Sequence, residues 1–229
     1  MKELPLFNGF TKESVQFLQE IKENNYKEWF EERKHIYQSK VLQPLQSLAV
    51  MLVPAMHAID PCFETKPSKM VSRIYRDVRF SRNKDPYRSN MWLNFQRKAT
   101  HWESFPGYFV ELSNAHFMYG MGLFMPKRKT MDRFREEVHY SQEFFREAAQ
   151  QALNAGFEIA GEAYKRPLAN ELPYFFQSWI QRKQIYVIKT LPLSDERIYN
   201  HKIALQLMED FTQLADLYRF MVDVVEEME

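Results

Sequence analysis

The run Met91–Gly122, MWLNFQRKATHWESFPGYFVELSNAHFMYGMG, decides the fold. Met91, Leu93 and Phe95 alternate with Trp92, Asn94 and Gln96, the two-residue period of a strand with one apolar face. Tyr108–Leu112 and Phe117–Tyr119 also read as extended, and Pro106-Gly107 and Ser113-Asn114 supply turn signals. The simplest arrangement is a meander of three antiparallel strands. Gly120 and Gly122 flank Met121 at the end of the third, where a missing side chain permits a bulge or a close backbone neighbour. Their G-M-G spacing is not the G-x-G-x-x-G of a dinucleotide-binding turn.

Upstream of the meander the period changes to that of helices. Thr11 is a good N-cap for a helix carrying Val15, Phe17, Leu18 and Ile21, and Asn24-Asn25 breaks it. A second helical pattern runs from Lys27 to about Leu52, with a kink or fresh start expected at Pro44 and an end at Pro54. Asp60–Ser68 is a proline-bearing loop.

Downstream, Lys129–Ala155 reads as two short helices, with Ser141 as N-cap of the second and Gly156 as its C-cap. A strand at Phe157–Ala160, a helix at Leu172–Gln181 and a strand at Ile185–Ile188 follow. A long last helix is predicted from Asp195 to Met228, with Ile203, Leu207, Phe211, Leu214, Tyr218, Met221 and Val225 on one stripe. That stripe suits core packing, and it also offers a face through which copies of the chain could associate as a homo-oligomer. Glu226, Glu227 and Glu229 form an acidic tail. The expected fold is a single α+β domain over residues 1–229: an antiparallel-rich sheet from the middle of the chain, covered by the N-terminal helices, the Lys129–Ala155 pair and the long C-terminal helix.

The composition agrees with one sizeable core. Of 229 residues 45% are apolar, and 19 Phe, 12 Tyr and 4 Trp exclude a disordered chain. The formal net charge is only +1, which counts against nucleic-acid binding and gives no general attraction to anionic membranes. Cys62 is the lone cysteine, so neither a disulfide framework nor a cysteine zinc cluster is available. The N-terminus lacks a signal-peptide apolar region, and no window was expected to reach about 18 apolar residues. A soluble cytoplasmic protein without a membrane span is the expectation.

Against this balanced background, Arg73–Arg88, RIYRDVRFSRNKDPYR, sets six bases against Asp77 and Asp85, a local net of +4. If its first part is a strand, Arg73, Tyr75, Asp77 and Arg79 share one face, and Ile74, Arg76, Val78 and Phe80 share the other. A buried guanidinium must be paired, so one reading is a structural network organised by Asp77. Another is a pocket for a small phosphate- or carboxylate-bearing ligand, held by the planar forks of Arg73, Arg76 and Arg79 with Lys84 and the Tyr87 hydroxyl. A third is a metal-independent enzyme acting on such an anion, with Asp77, Tyr87 or His116 moving protons. The six histidines are scattered without metal-ligand spacing, no nucleophile elbow or P-loop occurs, and no cofactor motif is present.

The order Arg73-x-x-Arg76-Asp77-x-Arg79-Phe80-x-x-Asn83-Lys84-x-x-Tyr87 resembles the signature of the domain of unknown function 2461 family, mostly bacterial proteins of about this length. The run Phe17–Phe30, the segment Tyr119-Gly120-x-Gly122 and Gly161-Glu162-x-Tyr164-Lys165-Arg166 are similar to that family as well. The resemblance implies one domain over nearly the whole chain and supplies no mechanism.

Overall fold

In the computed structural model, which describes residues 4–98 and 105–226, the meander is present: β1 (Asn90–Phe95), β2 (Gly107–Ser113) and β3 (His116–Leu123) pair antiparallel in sequence. Two later strands, β4 (Glu158–Ala160) and β5 (Ile185–Pro192), complete an all-antiparallel sheet in the order β1-β2-β3-β5-β4. The two glycines are what let β5 join. A Cβ on Gly120 would stand 1.9 Å from the Val187 carbonyl oxygen, and one on Gly122 would stand 2.4 Å from that of Ile185.

The sheet has two unlike faces. Met91, Leu93 and Phe95 on β1, Tyr108, Val110 and Leu112 on β2, and Phe117, Tyr119 and Met121 on β3 are buried beneath α3 (Gln43–Ile59), α8 (Lys202–Gln213) and α9 (Ala215–Glu226). Tyr108 meets the rings of Phe211 and Tyr218 at centroid distances of 5.0 and 5.2 Å. Trp92, Asn94, Gln96, Glu111, Met118 and Tyr186 lie on the opposite face and are only partly covered. One hydrophobic core extends from Phe7 to Val225, and the architecture is α+β.

The helices begin where capping chemistry directs. Thr11 and Ser14 form a reciprocal capping box for α1 (Lys12–Glu23), which satisfies N–H groups that the first turn cannot pair. From α2 (Lys27–Ile36) the chain passes through a π-helical turn, Tyr37–Leu42, into α3, making one rod over Lys27–Ile59. The irregularity expected at Pro44 is this turn. Proline has no N–H to give to the Lys40 carbonyl, and the buried Ser14 hydroxyl donates to that oxygen instead, at 2.5 Å.

Pro54 does not end the helix, as expected, but sits inside α3. Its ring lies on the solvent side, and the carbonyl it leaves without an N–H partner belongs to Val50, which is 46% exposed. An 18-residue window of this rod reaches a mean hydropathy of 1.3, enough by length and composition to cross a membrane. Counting consecutive apolar residues missed this because Gln43, Gln46 and His57 interrupt the run. Leu45, Leu48, Leu52 and Met56 of the same rod are fully buried in the core.

A short α4 (Pro67–Met70) leads into the arginine segment. The Lys129–Ala155 pair appears as α5 (Arg128–Tyr140) and α6 (Gln142–Asn154). Ser141 holds the N-cap position of α6 without capping it, because its hydroxyl donates to the Glu137 carboxylate at 2.6 Å. Gly156 follows α6 at φ +86°, the left-handed geometry expected of a terminator. After α7 (Tyr174–Ile180), the expected single long C-terminal helix is instead a 3-10 turn (Glu196–Tyr199) followed by α8 and α9, broken at Leu214. All seven stripe residues are buried in the chain's own core. Of the predicted acidic tail, Glu227 and Glu229 lie outside the described residues, as do His101 and the predicted helix end at Met228.

Candidate functional site: an arginine cleft at the sheet edge

The segment Arg73–Phe80 is not a strand, contrary to the conditional expectation. Just before it, at Val71 and Ser72, the chain runs alongside β1 and touches that strand through isolated pairings. Val71 bridges Leu93, the Ser72 N–H donates to the Trp92 carbonyl at 2.8 Å, and the Trp92 N–H donates to the Ser72 hydroxyl at 3.0 Å. Farther along it folds back on itself: Tyr75 bridges Tyr87, Arg88 N–H reaches the Ile74 carbonyl, and Arg76 N–H reaches the Pro86 carbonyl, both at 2.8 Å. Pro86 has no N–H to give, and here it needs only to accept. The in–out alternation nevertheless holds from Arg73 to Val78, with Ile74 buried and Arg76 partly buried, and fails at Phe80, which is 95% exposed.

Asn25 holds the returning arm. Its side-chain nitrogen donates to the Tyr87 carbonyl at 3.0 Å, and its side-chain oxygen accepts from the Tyr87 N–H at 2.9 Å. The residue therefore serves both backbone groups of Tyr87 as a neighbouring strand would. The Tyr87 ring, 4% exposed, stacks on Phe30 at 4.3 Å. Burial, with the nearby Tyr75 and Glu31, pushes its hydroxyl pKa up.

Apart from Arg82, which is exposed, the basic residues now separate into two groups. Arg79 is spent on Asp77 in a two-pronged pair, Nε to Oδ1 at 2.9 Å and Nη2 to Oδ2 at 2.7 Å. The Arg79 side chain and its backbone N–H together hold the Asp77 carboxyl below its ordinary value. Lys84 donates to the Val78 carbonyl at 3.0 Å. Arg73, Arg76 and Arg88, by contrast, have no carboxylate partner among the described residues. Arg76 donates only to the Asp85 carbonyl at 3.1 Å and, at 3.5 Å, to the Ser81 hydroxyl. Arg88 lies over the Trp92 ring at 4.8 Å. Burial first, and the positive charge of Arg76 second, lower its pKa.

Arg73 and Arg88 open onto a cleft of about 420 Å3 beside β1, shared with Lys69, Ser72, Trp92 and Asn94. Asp77 also borders it. Of the residues proposed from sequence, the cleft thus takes Arg73 and Asp77 directly, with Arg76 behind them as Arg88's neighbour. Arg79, Lys84 and Tyr87 do not line it. His116 stands apart at the start of β3, its Nε2 3.3 Å from Glu111 Oε1 but off the line of a hydrogen bond. Arg88 was legible as part of the basic run but not as a site residue. Its signal was Trp92 four positions on, an aromatic partner for a guanidinium.

Two buried carboxylates escaped the sequence reading altogether. Asp60 Oδ2 accepts from Arg97 Nε and from the Tyr218 hydroxyl, both at 2.5 Å, and Arg97 also pairs with Glu226. Asp210, 4% exposed, accepts from the Tyr119 hydroxyl at 2.6 Å and from Lys189 at 2.8 Å, beneath a cleft of about 820 Å3 between α6 and α8. Both carboxylates are fully engaged and fasten α8 and α9 to the rest of the fold. Asp210 interrupts an otherwise apolar stripe, which is the signal that could have marked it. Among the described residues no group of three or more metal-ligating side chains converges.

These features define an α+β protein whose antiparallel sheet is roofed by helices on one face and carries an arginine-lined cleft at its β1 edge. The chain belongs to the family described as conserved hypothetical protein DUF2461, whose model matches residues 13–220. No curated protein matches it.

Proposed function

We propose that this is a bacterial cytoplasmic protein that binds a small phosphate- or carboxylate-bearing ligand in the cleft at the edge of β1. The carrying observation is the pair Arg76 and Arg88: two neighbouring, partly buried guanidiniums without a carboxylate between them. Like charges held close in a partly desolvated place raise the free energy of the empty site, and an anion relieves it. Arg73 at the rim extends the positive surface, whereas Lys69, which also lines the cleft, is paired with Glu64 at 3.4 Å. The Asp77–Arg79 pair is the structural part of the same segment.

Thermal shift over phosphorylated and carboxylated metabolites tests this reading. A ligand at about 100 times its Kd stabilises the folded chain by about 2.7 kcal/mol, and Arg88→Ala and Arg76→Ala are expected to abolish the shift while the variants remain folded. If no anion shifts the wild type and both variants merely melt lower, the arginines are a structural network.

A further inference from the structure

We infer that the ligand of the arginine cleft carries an aromatic ring, seated on the open face of the sheet; this rests on the anion-binding reading above. A second cleft, of about 440 Å3, opens on that face. Trp92 and Asn94 line both clefts, so the two meet across β1. The second has aromatic walls. Phe124 lies against Tyr186 at 5.2 Å and 31°, and meets Phe109 edge-on at 5.2 Å and 87°. Interlocked rings of this kind form a preshaped slot that a further ring can enter without ordering new side chains.

The polarity of the joined clefts gives the ligand a direction. At the arginine end the Arg88 guanidinium lies on Trp92, so cation and first aromatic wall form one unit. Among the described residues that line the second cleft the one charged side chain is Glu111, directly opposite Trp92 in the β1–β2 register, with Asn94 and Gln96 beside it on β1. One Glu111 oxygen accepts from Asn90 at 2.8 Å. A carboxylate among aromatic walls repels a second anion and accepts from a ring N–H or amino group. The fitting molecule has one anionic end and one aromatic end with a donor edge, the build of a nucleoside monophosphate or an amino-substituted aryl phosphate or carboxylate. A single guanidinium cluster in a chain of net charge +1 suits one phosphate better than the run of phosphates in a nucleic-acid strand.

Calorimetric titration of the full chain with AMP, ribose 5-phosphate, 4-aminophenyl phosphate, 4-aminobenzoate, acetate and a short single-stranded oligonucleotide tests this. Stacking on aromatic side chains is worth roughly 1–3 kcal/mol per ring, so AMP and the aryl anions are expected to bind about 5- to 150-fold more tightly than ribose 5-phosphate and acetate. Tyr186→Ala should erase that advantage and leave ribose 5-phosphate binding unchanged, whereas Arg88→Ala should weaken every anion. Met125→Glu, at a 76% exposed position on the same cleft, gives a second variant that does not disturb the core and should likewise weaken only the ring-bearing anions. Equal binding of AMP and ribose 5-phosphate, insensitive to both ring-cleft variants, overturns the aromatic inference and leaves the anion site standing. Absence of binding by every anion overturns both. An oligonucleotide that binds more than about tenfold tighter than AMP would replace the small molecule with nucleic acid.

Discussion

Asn25 presents its side-chain amide to both backbone groups of Tyr87, so Asn25→Ala leaves a partly buried N–H and carbonyl unpaired. Such groups cost about 1–3 kcal/mol each, and urea denaturation of Asn25→Ala should show a loss of about 2–6 kcal/mol for the two together. Ser14 is similar, since its hydroxyl is the donor that Pro44 cannot provide to the Lys40 carbonyl. Asp60 supplies a pH dependence. Burial pushes its pKa up, but hydrogen bonds from Tyr218 and Arg97 and the Cys62 N–H outweigh burial and leave it lowered. A carboxyl with a folded-state pKa below its unfolded value of about 3.9 adds stability above that value and loses it as pH falls through the folded pKa. Thermal melts should therefore drop below about pH 4. In Asp60→Asn that acid-side slope should flatten, at the expense of about 1.5–3 kcal/mol at neutral pH, the worth of a hydrogen bond to a charged group, because Arg97 keeps only Glu226 as an ionised partner. None of these pairings was readable from sequence: each joins residues whose meeting depends on how helices and sheet are stacked.

At the level of elements, sequence legibility followed the source of the signal. The β1–β3 meander and the α5–α6 pair could be read because period and turn chemistry are local. The arginine segment misled a strand reading because its alternation, Ile74 in and Tyr75 out, arises where the chain folds back on Pro86–Arg88 through an isolated bridge rather than within a ladder. Pro54 misled because helix disruption depends on which side of the helix the proline faces. Pro54→Ala tests this. A proline costs about 3 kcal/mol against alanine inside a helix, offset by about 0.4–1 kcal/mol of unfolded-chain entropy, and the substitution should raise the melting temperature. Gly120→Ala should do the opposite, because its Cβ meets β5 backbone rather than a yielding side chain. A loss of at least the 1–3 kcal/mol typical of overpacking is expected, readable as faster amide exchange along β3 and β5.

For the whole molecule, one core shared from Phe7 to Val225 predicts a single unfolding transition. Tryptophan fluorescence and far-ultraviolet circular dichroism should report the same midpoint, and two separated midpoints would divide the chain into independently folding parts. The sheet's edges bear on its behaviour in concentrated solution. One edge, β4, is only three residues long. The other, β1, is occupied by Val71 and Ser72, the residues that also fix Trp92 beside Arg73. An uncovered strand edge is a template for pairing with another chain. The pair Val71-Ser72 that leads into the arginine segment thus guards this edge, and variants that detach it, such as Ser72→Pro, should form aggregates that bind amyloid-sensitive dyes, even if their helices stay intact.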